Sequence, residues 1–331
     1  MEKLEEPICK ICKEKKADQT GSHLLSAFFV ESMIGKRDDE SSFLLTDKPN
    51  LEHRIDRKAE PIKEDFIFCR GCEQRLSYLE SYISQEVTQK FDKAEYRENF
   101  EVKATENGFY YKECKNVNSY AFSLLIYSII WRASISNKEL YKQFNLSDNE
   151  ILRVLLNDLL PEYKDYKVKI KRKIWLNRLN ENSKNYSWPE FIAIRKETIE
   201  GQDTSRNMIF LHPEFNDPYN LMLNEFIILY SEKIPFELNQ DLFEISEKLK
   251  DWNQIISPTK ILKIGIFNNE EWNTLLVIAK ELLKAKKIEA IRININNDFQ
   301  IKFGIQPTSQ ELSYLIEKFI KNEDAKNNKS A

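Results

Sequence analysis

The chain has 331 residues, 41% of them hydrophobic and 12% aromatic, which is enough to bury a sizeable core and about right for two domains. Charged residues make up 31% but nearly cancel at a net −3, so wholesale coating of nucleic acid is excluded and only a local basic patch remains open. Seven scattered glycines rule out the glycine-rich phosphate cradles and the G-x-S-x-G elbow, and three histidines rule out a histidine-rich metal cluster.

The opening stretch, Met1 to Glu6, lacks the apolar centre of a signal peptide. Tyr120 to Ile135 is the most apolar run; it is shorter than the roughly 20 residues of a membrane span, and Arg132 interrupts it. A soluble cytoplasmic protein without a membrane partner is expected.

Cys9-Lys10-Ile11-Cys12 and Cys69-Arg70-Gly71-Cys72 carry four of the five cysteines. A two-residue spacer lets both sulfurs of a pair turn toward one ion, so Cys9, Cys12, Cys69 and Cys72 are read as the ligands of a structural Zn²⁺. Lys10, Lys13, Lys15 and Lys16 surround the first pair and favour thiolates there. Ser22-His23-Leu24-Leu25 follows, then an apolar run from Ala27 to Val30 that opens a helix. Residues 36 to 65 are charged, with turn chemistry at Lys48-Pro49-Asn50, and read as an exposed insertion containing His53. Phe66-Ile67-Phe68 reads as a short strand feeding the second pair. Cys72 opens a helix on which Leu76, Leu79, Tyr82 and Ile83 recur at helical steps, and Glu73 and Glu80 share one face. A strand, a turn and a helix with two ligands at each end make a treble clef.

Two C-x-x-C pairs flanking a histidine, the second at a helix start, resemble the zinc-stabilised HNH (ββα-metal) endonucleases. The resemblance is closer still to a group of bacterial proteins with a Ser-His-Ile-Ile-Pro element, a Cys-x-x-Cys-Glu helix start and a Trp-Arg-Ala-Ser segment. Here those are Ser22-His23-Leu24-Leu25-Ser26, Cys69 to Glu73 and Trp131-Arg132-Ala133-Ser134. The resemblance implies an antiphage nuclease in which His23 is the general base on water. It also implies Mg²⁺ or Mn²⁺ held by Glu73, with Glu80 a further candidate ligand. Ser22 stands where that family has an aspartate, Glu73 where it has Asn or His, and Glu64 and Asp65 are the nearest polar stand-ins for a central Asn. The alternative reading of His23 is a donor that steadies the zinc loop.

Beyond residue 100, Glu101 to Ala104 and Phe109 to Cys114 pair as a hairpin across Asn107-Gly108. Residues 119 to 135 are apolar on every face and mark a buried core helix, with Trp131 packed and Arg132 paired. Ser136 to Glu139 and Ser147 to Glu150 are capping boxes, the second starting a helix that ends at Leu160-Pro161. Lys167, Lys169, Lys171 and Lys173 alternate with apolar or basic neighbours, and a strand would put four ammonium groups in one row. Such a row tracks a phosphate backbone or guards a sheet edge. His212, before Pro213, reads as structural.

Strands are expected at Asn207 to Leu211, Phe226 to Tyr230, Ile261 to Phe267, Ile288 to Ile295 and Phe299 to Phe303. Helices are expected at Asp241 to Asp251, Glu270 to Lys286 and Gln310 to Asn322, the last capped by Thr308 and Glu311.

The whole reads as an α+β protein. Residues 1–100 form a treble-clef, HNH-like zinc module, residues 101–322 a larger mixed helix/strand domain, and 323–331 a disordered tail. Two functions compete: a metal-dependent nuclease hydrolysing phosphodiesters in DNA, and a non-catalytic zinc module on a sensing or partner-binding domain. DNA is the expected partner, with a further protein or a second copy of the chain as the other candidate.

Overall fold

The computed structural model describes residues 7–24, 43–45, 52–54, 63–137, 146, 149–162, 169–197, 208–212, 219–224, 226–231, 251, 253–272, 291–302 and 306–327. The chain divides into two units, Met1–Leu44 with Arg54–Asn269 and Leu45–His53 with Glu270–Ala331. This division does not fall at residue 100, the boundary expected from the sequence. Buried residues on both sides of that position belong to one core.

In the first unit, β1 (Ser22–His23) lies antiparallel to β4 (Lys63–Glu64), with Ser22 opposite Glu64. The charged stretch between them holds two short strands, β2 (Phe43–Leu45) and β3 (Glu52–Arg54), at the points where the chain passes into and out of the second unit. Phe66 to Phe68 is not the expected strand. Phe66 has φ +59°, outside the extended region, and turns the chain so that the Ile67 and Phe68 carbonyls accept from Lys10 N and Gln19 N at 2.9 and 3.1 Å. Helix α1 (Arg70–Ile83) follows and buries Leu76, Leu79, Tyr82 and Ile83 as their spacing requires.

The hairpin appears as β5 (Phe100–Ala104) against β6 (Tyr110–Cys114), with Gly108 at φ +77° in the turn. Helix α2 (Ser119–Ser134) is buried nearly all round; the Asn118 side chain caps it by accepting from Ala121 N at 2.9 Å. Phe68 stacks on Trp131 with ring centroids 6.1 Å apart, joining the cysteine region to this core helix. Helix α3 (Asn149–Leu159) adds Leu152, Leu155, Leu156 and Leu159 to the core.

The lysine-rich stretch is helical, as α4 (Lys169–Asn182), and not a strand. Trp175 and Leu179, one helical turn apart, anchor it in the core. The Trp175 ring meets the edges of Tyr78 and Tyr82 at 5.5 and 5.8 Å, and its Nε1 donates to Leu159 O at 3.1 Å. Lys171 and Lys173 are exposed but lie about 200° apart around the helix, so the single ammonium row is lost. Lys167 lies outside the described residues, as does the Lys169 side chain.

One mixed sheet covers the core, with β7 (Glu190–Lys196), β8 (Met208–His212), β9 (Tyr219–Asn224), β10 (Phe226–Ser231), β11 (Ile256–Ser257) and β12 (Leu262–Phe267). Its order is β5-β6-β12-β7-β10-β9-β8. Along one side of β7, β11 pairs antiparallel at Ile192 and Phe191, then β12 runs parallel from Ile194 to Lys196. Helices together with this mixed sheet make the protein α+β.

In the second unit, residues 291–302 are helical where strands were expected. Ile291 is buried but Ile293 is half exposed, so burial does not follow the period of two that a strand needs. Helix α5 (Ser309–Asn327) opens on the expected box, Thr308 N donating to Glu311 Oε2 at 2.9 Å and Glu311 N to Thr308 Oγ1 at 3.3 Å. It runs past Asn322, into the segment read as a tail. The apolar run from Ala27 to Val30, the second half of the capping box from Ser136, most of Asp241 to Asp251 and most of Glu270 to Lys286 lie outside the described residues. Among the described residues, no helix is long and apolar enough to cross a membrane.

Candidate metal centre

The first cysteine pair sits in a tight hairpin. Cys9 N donates to Lys15 O at 2.8 Å, Lys13 N to Cys9 O at 2.9 Å, and Lys13 takes φ +56° to close the turn. Arg153 of α3 braces it by donating from Nη1 to Ile11 O at 2.6 Å. The second pair straddles the start of α1, where Cys69 is the N-cap residue but does not cap with its side chain. Asp18 caps instead, 52 residues upstream, accepting from Arg70 N at 2.9 Å. Cys69 and Cys72 are thus left to turn toward Cys9 and Cys12.

All four sulfurs lie within 4.8 Å of one another, with Cys12 and Cys69 at 4.0 Å. Four sulfurs around a tetrahedral Zn²⁺ at about 2.3 Å each would be roughly 3.8 Å apart. The spacing and the all-thiol donor set fit a soft divalent cation, and the cluster can hold a metal such as zinc.

The four thiols also act on one another's ionisation. The Cys72 thiol hydrogen-bonds to Cys9 and holds it well below the usual thiol range, helped by the amides of Cys12, Cys69 and Ile11. Burial pushes Cys69 up, and Cys72 is pushed far up, first because it donates to Cys9 and then by burial. One thiolate suppresses the ionisation of its neighbours, and only a cation would let all four lose their protons. The nearby lysines do little of this. Lys13 is committed to Glu150 at 2.9 Å, and Lys10, Lys15 and Lys16 are exposed.

Beside the thiol cluster, three elements meet. β1 brings Ser22 and His23, α1 brings Glu73 and Glu80, and α2 brings Arg132. Arg132 is 1% exposed. It donates to Glu80 Oε1 at 2.8 Å and to His23 O at 2.7 Å. Burial pushes the Glu73 carboxyl up, opposed by the Arg132 charge, with Ser22 and the His23 amide beside it. Glu73 Oε2 and Ser22 Oγ are both buried, and the Ser22 hydroxyl is the side chain that meets the carboxylate.

His23, Glu73 and Glu80 are therefore brought together next to the cysteines. Glu80 is engaged by a guanidinium, which competes with its service as a metal ligand. Glu64 and Asp65 serve the fold. Glu64 accepts from Ser136 Oγ at 2.6 Å and from both Asn137 nitrogens, while Asp65 accepts from Gly21 N at 2.6 Å. His212 ends β8, opposite Asn220, and His53 lies in β3. Asp18 and Arg153 were not legible as parts of this region, because each acts on residues far away in sequence. Comparison of the chain with protein-family models, curated proteins and solved structures finds no match.

Proposed function

We propose that the N-terminal part of the chain is a zinc-stapled, HNH-like nuclease that hydrolyses phosphodiester bonds in DNA. The observation that carries this reading is a buried carboxylate, Glu73, held between Ser22, the His23 main chain and Arg132 beside the thiol cluster. It supports a second cation at that place, distinct from the thiol-bound one. Two short antiparallel strands and a helix, with the histidine at the end of the first strand, also match the ββα order of that family.

In this reading zinc is a staple that fixes the start of α1. His23 takes a proton from a water as its oxygen attacks phosphorus, and the P–O bond to the sugar oxygen breaks as that oxygen takes a proton from a second water. Glu73, beside Arg132, would be the residue that holds Mg²⁺ or Mn²⁺. Such a cation, when bound, supplies charge to the scissile phosphate and the leaving oxygen. A defence role rests on the sequence resemblance alone.

The Arg132–Glu80 pair favours a second reading, a zinc module without catalysis, since it removes one carboxylate from a cation site. The test is nicking of supercoiled plasmid with Mg²⁺ or Mn²⁺ by zinc-loaded protein. The nuclease reading expects nicking by the wild type and a loss of about 100-fold or more in His23→Ala and Glu73→Gln at equal zinc content. No nicking by the wild type would support the second reading, and equal nicking by all three would trace the activity to a contaminant or a different site and overturn the role of His23.

A further inference from the structure

We infer that Arg132 is the positioning residue of the proposed site, holding His23 in place through its main chain, with Glu80 as the counter-ion of that brace. The consequence for catalysis rests on the nuclease reading; the geometry does not.

A two-residue strand with a single described partner strand holds its end residue weakly. Main-chain pairing with Lys63 is one restraint on His23. A further one is Arg132. Its Nε donates to Ser128 O at 3.0 Å and its Nη2 to Ser128 Oγ at 3.2 Å, so the side chain folds back onto its own helix. The same Nη2 reaches Glu80 on α1, and Nη1 reaches the His23 carbonyl on β1. One planar group thus fixes three elements at once.

A guanidinium suits this task because its N–H groups leave in fixed directions, whereas an ammonium cannot serve two acceptors on opposite sides with the same geometry. Burying it is costly, and packing α2 against α1 alone would be met by an apolar side chain. What an apolar residue cannot do is hold the His23 carbonyl. A carbonyl fixed to within a few tenths of an ångström fixes the Cα, and with it the origin of the imidazole. Misplacing a reacting group by about 1 Å costs roughly 100-fold in rate.

The test uses full-length, zinc-loaded protein carrying Arg132→Gln, Arg132→Lys or Glu80→Gln, with Arg75→Met, whose hydrogen bonds go to the end of α3, as a control. Zinc content and near-ultraviolet dichroism establish folding, and Glu80→Gln carries the test if the arginine variants do not fold. Plasmid nicking is resolved into kcat and KM, and the His23 imidazole is followed by its ¹⁵N–¹H correlation signals. The expected result for Arg132→Gln is a kcat lower by about 10- to 100-fold with KM within about twofold. Arg132→Lys recovers little of it, Glu80→Gln falls in between, and the His23 signals shift or broaden in all three but not in Arg75→Met.

An unchanged kcat in folded Arg132→Gln overturns the inference. So does a raised KM with kcat intact, which would place Arg132 on the substrate. If the wild type does not nick, the nuclease reading fails and the imidazole signals decide alone. Signals that move in Arg132→Gln but not in Arg75→Met uphold the brace, and signals that stay put overturn it.

Discussion

Glu64 is a carboxylate buried in the second strand of the β1–β4 pair, directly opposite Ser22. It gathers the start of the loop after α2: Ser136 Oγ at 2.6 Å, Asn137 N at 3.2 Å and Asn137 Nδ2 at 3.1 Å. Glu64→Ala removes the acceptor and strands these donors. A buried donor left unsatisfied costs about 1–3 kcal/mol, but the Ser136 hydroxyl can rotate and Asn137 is near water, so a total of about 3 kcal/mol is expected. Glu64→Gln keeps a carbonyl for Asn137 and presents an amide that the Ser136 hydroxyl can accept, so it should cost only about 1 kcal/mol. With a urea slope of about 3 kcal/mol/M, the midpoint falls by about 1 M for Ala and by about 0.3 M for Gln. The assay is urea unfolding of zinc-loaded protein followed by tryptophan fluorescence, with unchanged slope as the control. A loss below about 1 kcal/mol in Glu64→Ala, or equal losses in both variants, would refute the reasoning.

Three further outcomes are expected. A Cβ on Gly265 would meet Phe109 Cζ at 2.5 Å and Ile255 Cδ1 at 3.2 Å, so Gly265→Ala should cost about 1–3 kcal/mol in the same assay, relieved by adding Phe109→Leu. Arg75 donates to the carbonyls of Asn157, Leu160 and Pro161 at 2.6, 3.1 and 3.2 Å, closing the end of α3, so Arg75→Met should cost about 2 kcal/mol in unfolding midpoint measurements. Burial raises the Tyr82 hydroxyl from 10.0 to about 12. The folded state therefore keeps that proton longer than the unfolded chain. Its contribution, roughly 3 kcal/mol, is complete below the unfolded value of about 10 and is lost as pH rises through about 12. Unfolding compared at about pH 9 and about pH 11 should show a smaller alkaline loss in Tyr82→Phe than in the wild type.

The legible features were those whose partners lie close in sequence. The C-x-x-C pairs, the Asn107-Gly108 turn, the all-apolar helix from Ser119 and the Thr308–Glu311 box each carry their physics within a few residues. Misreadings came where two periods fit a short window. Lys167 to Ile174 alternates like a strand, and only Trp175 and Leu179 further on make the helix the better burial. β7 escaped notice because Phe191 to Arg195 is buried on both faces and shows no alternation. The brace of Arg132, the Asp18 cap and the Glu64 cluster span 109, 52 and 72 residues, and no local pattern marks such pairs. For the same reason Glu73 and Glu80 could be placed on one helix face, but not the guanidinium that meets Glu80.

The account depends first on four sulfurs gathering one ion. Metal content together with X-ray absorption at the zinc edge, on protein purified under reducing conditions, tests this most directly. The account predicts one zinc per chain with four sulfur neighbours at about 2.3 Å, and loss of bound zinc in Cys72→Ser. A chain that folds without metal, or a zinc shell containing nitrogen or oxygen, would contradict it.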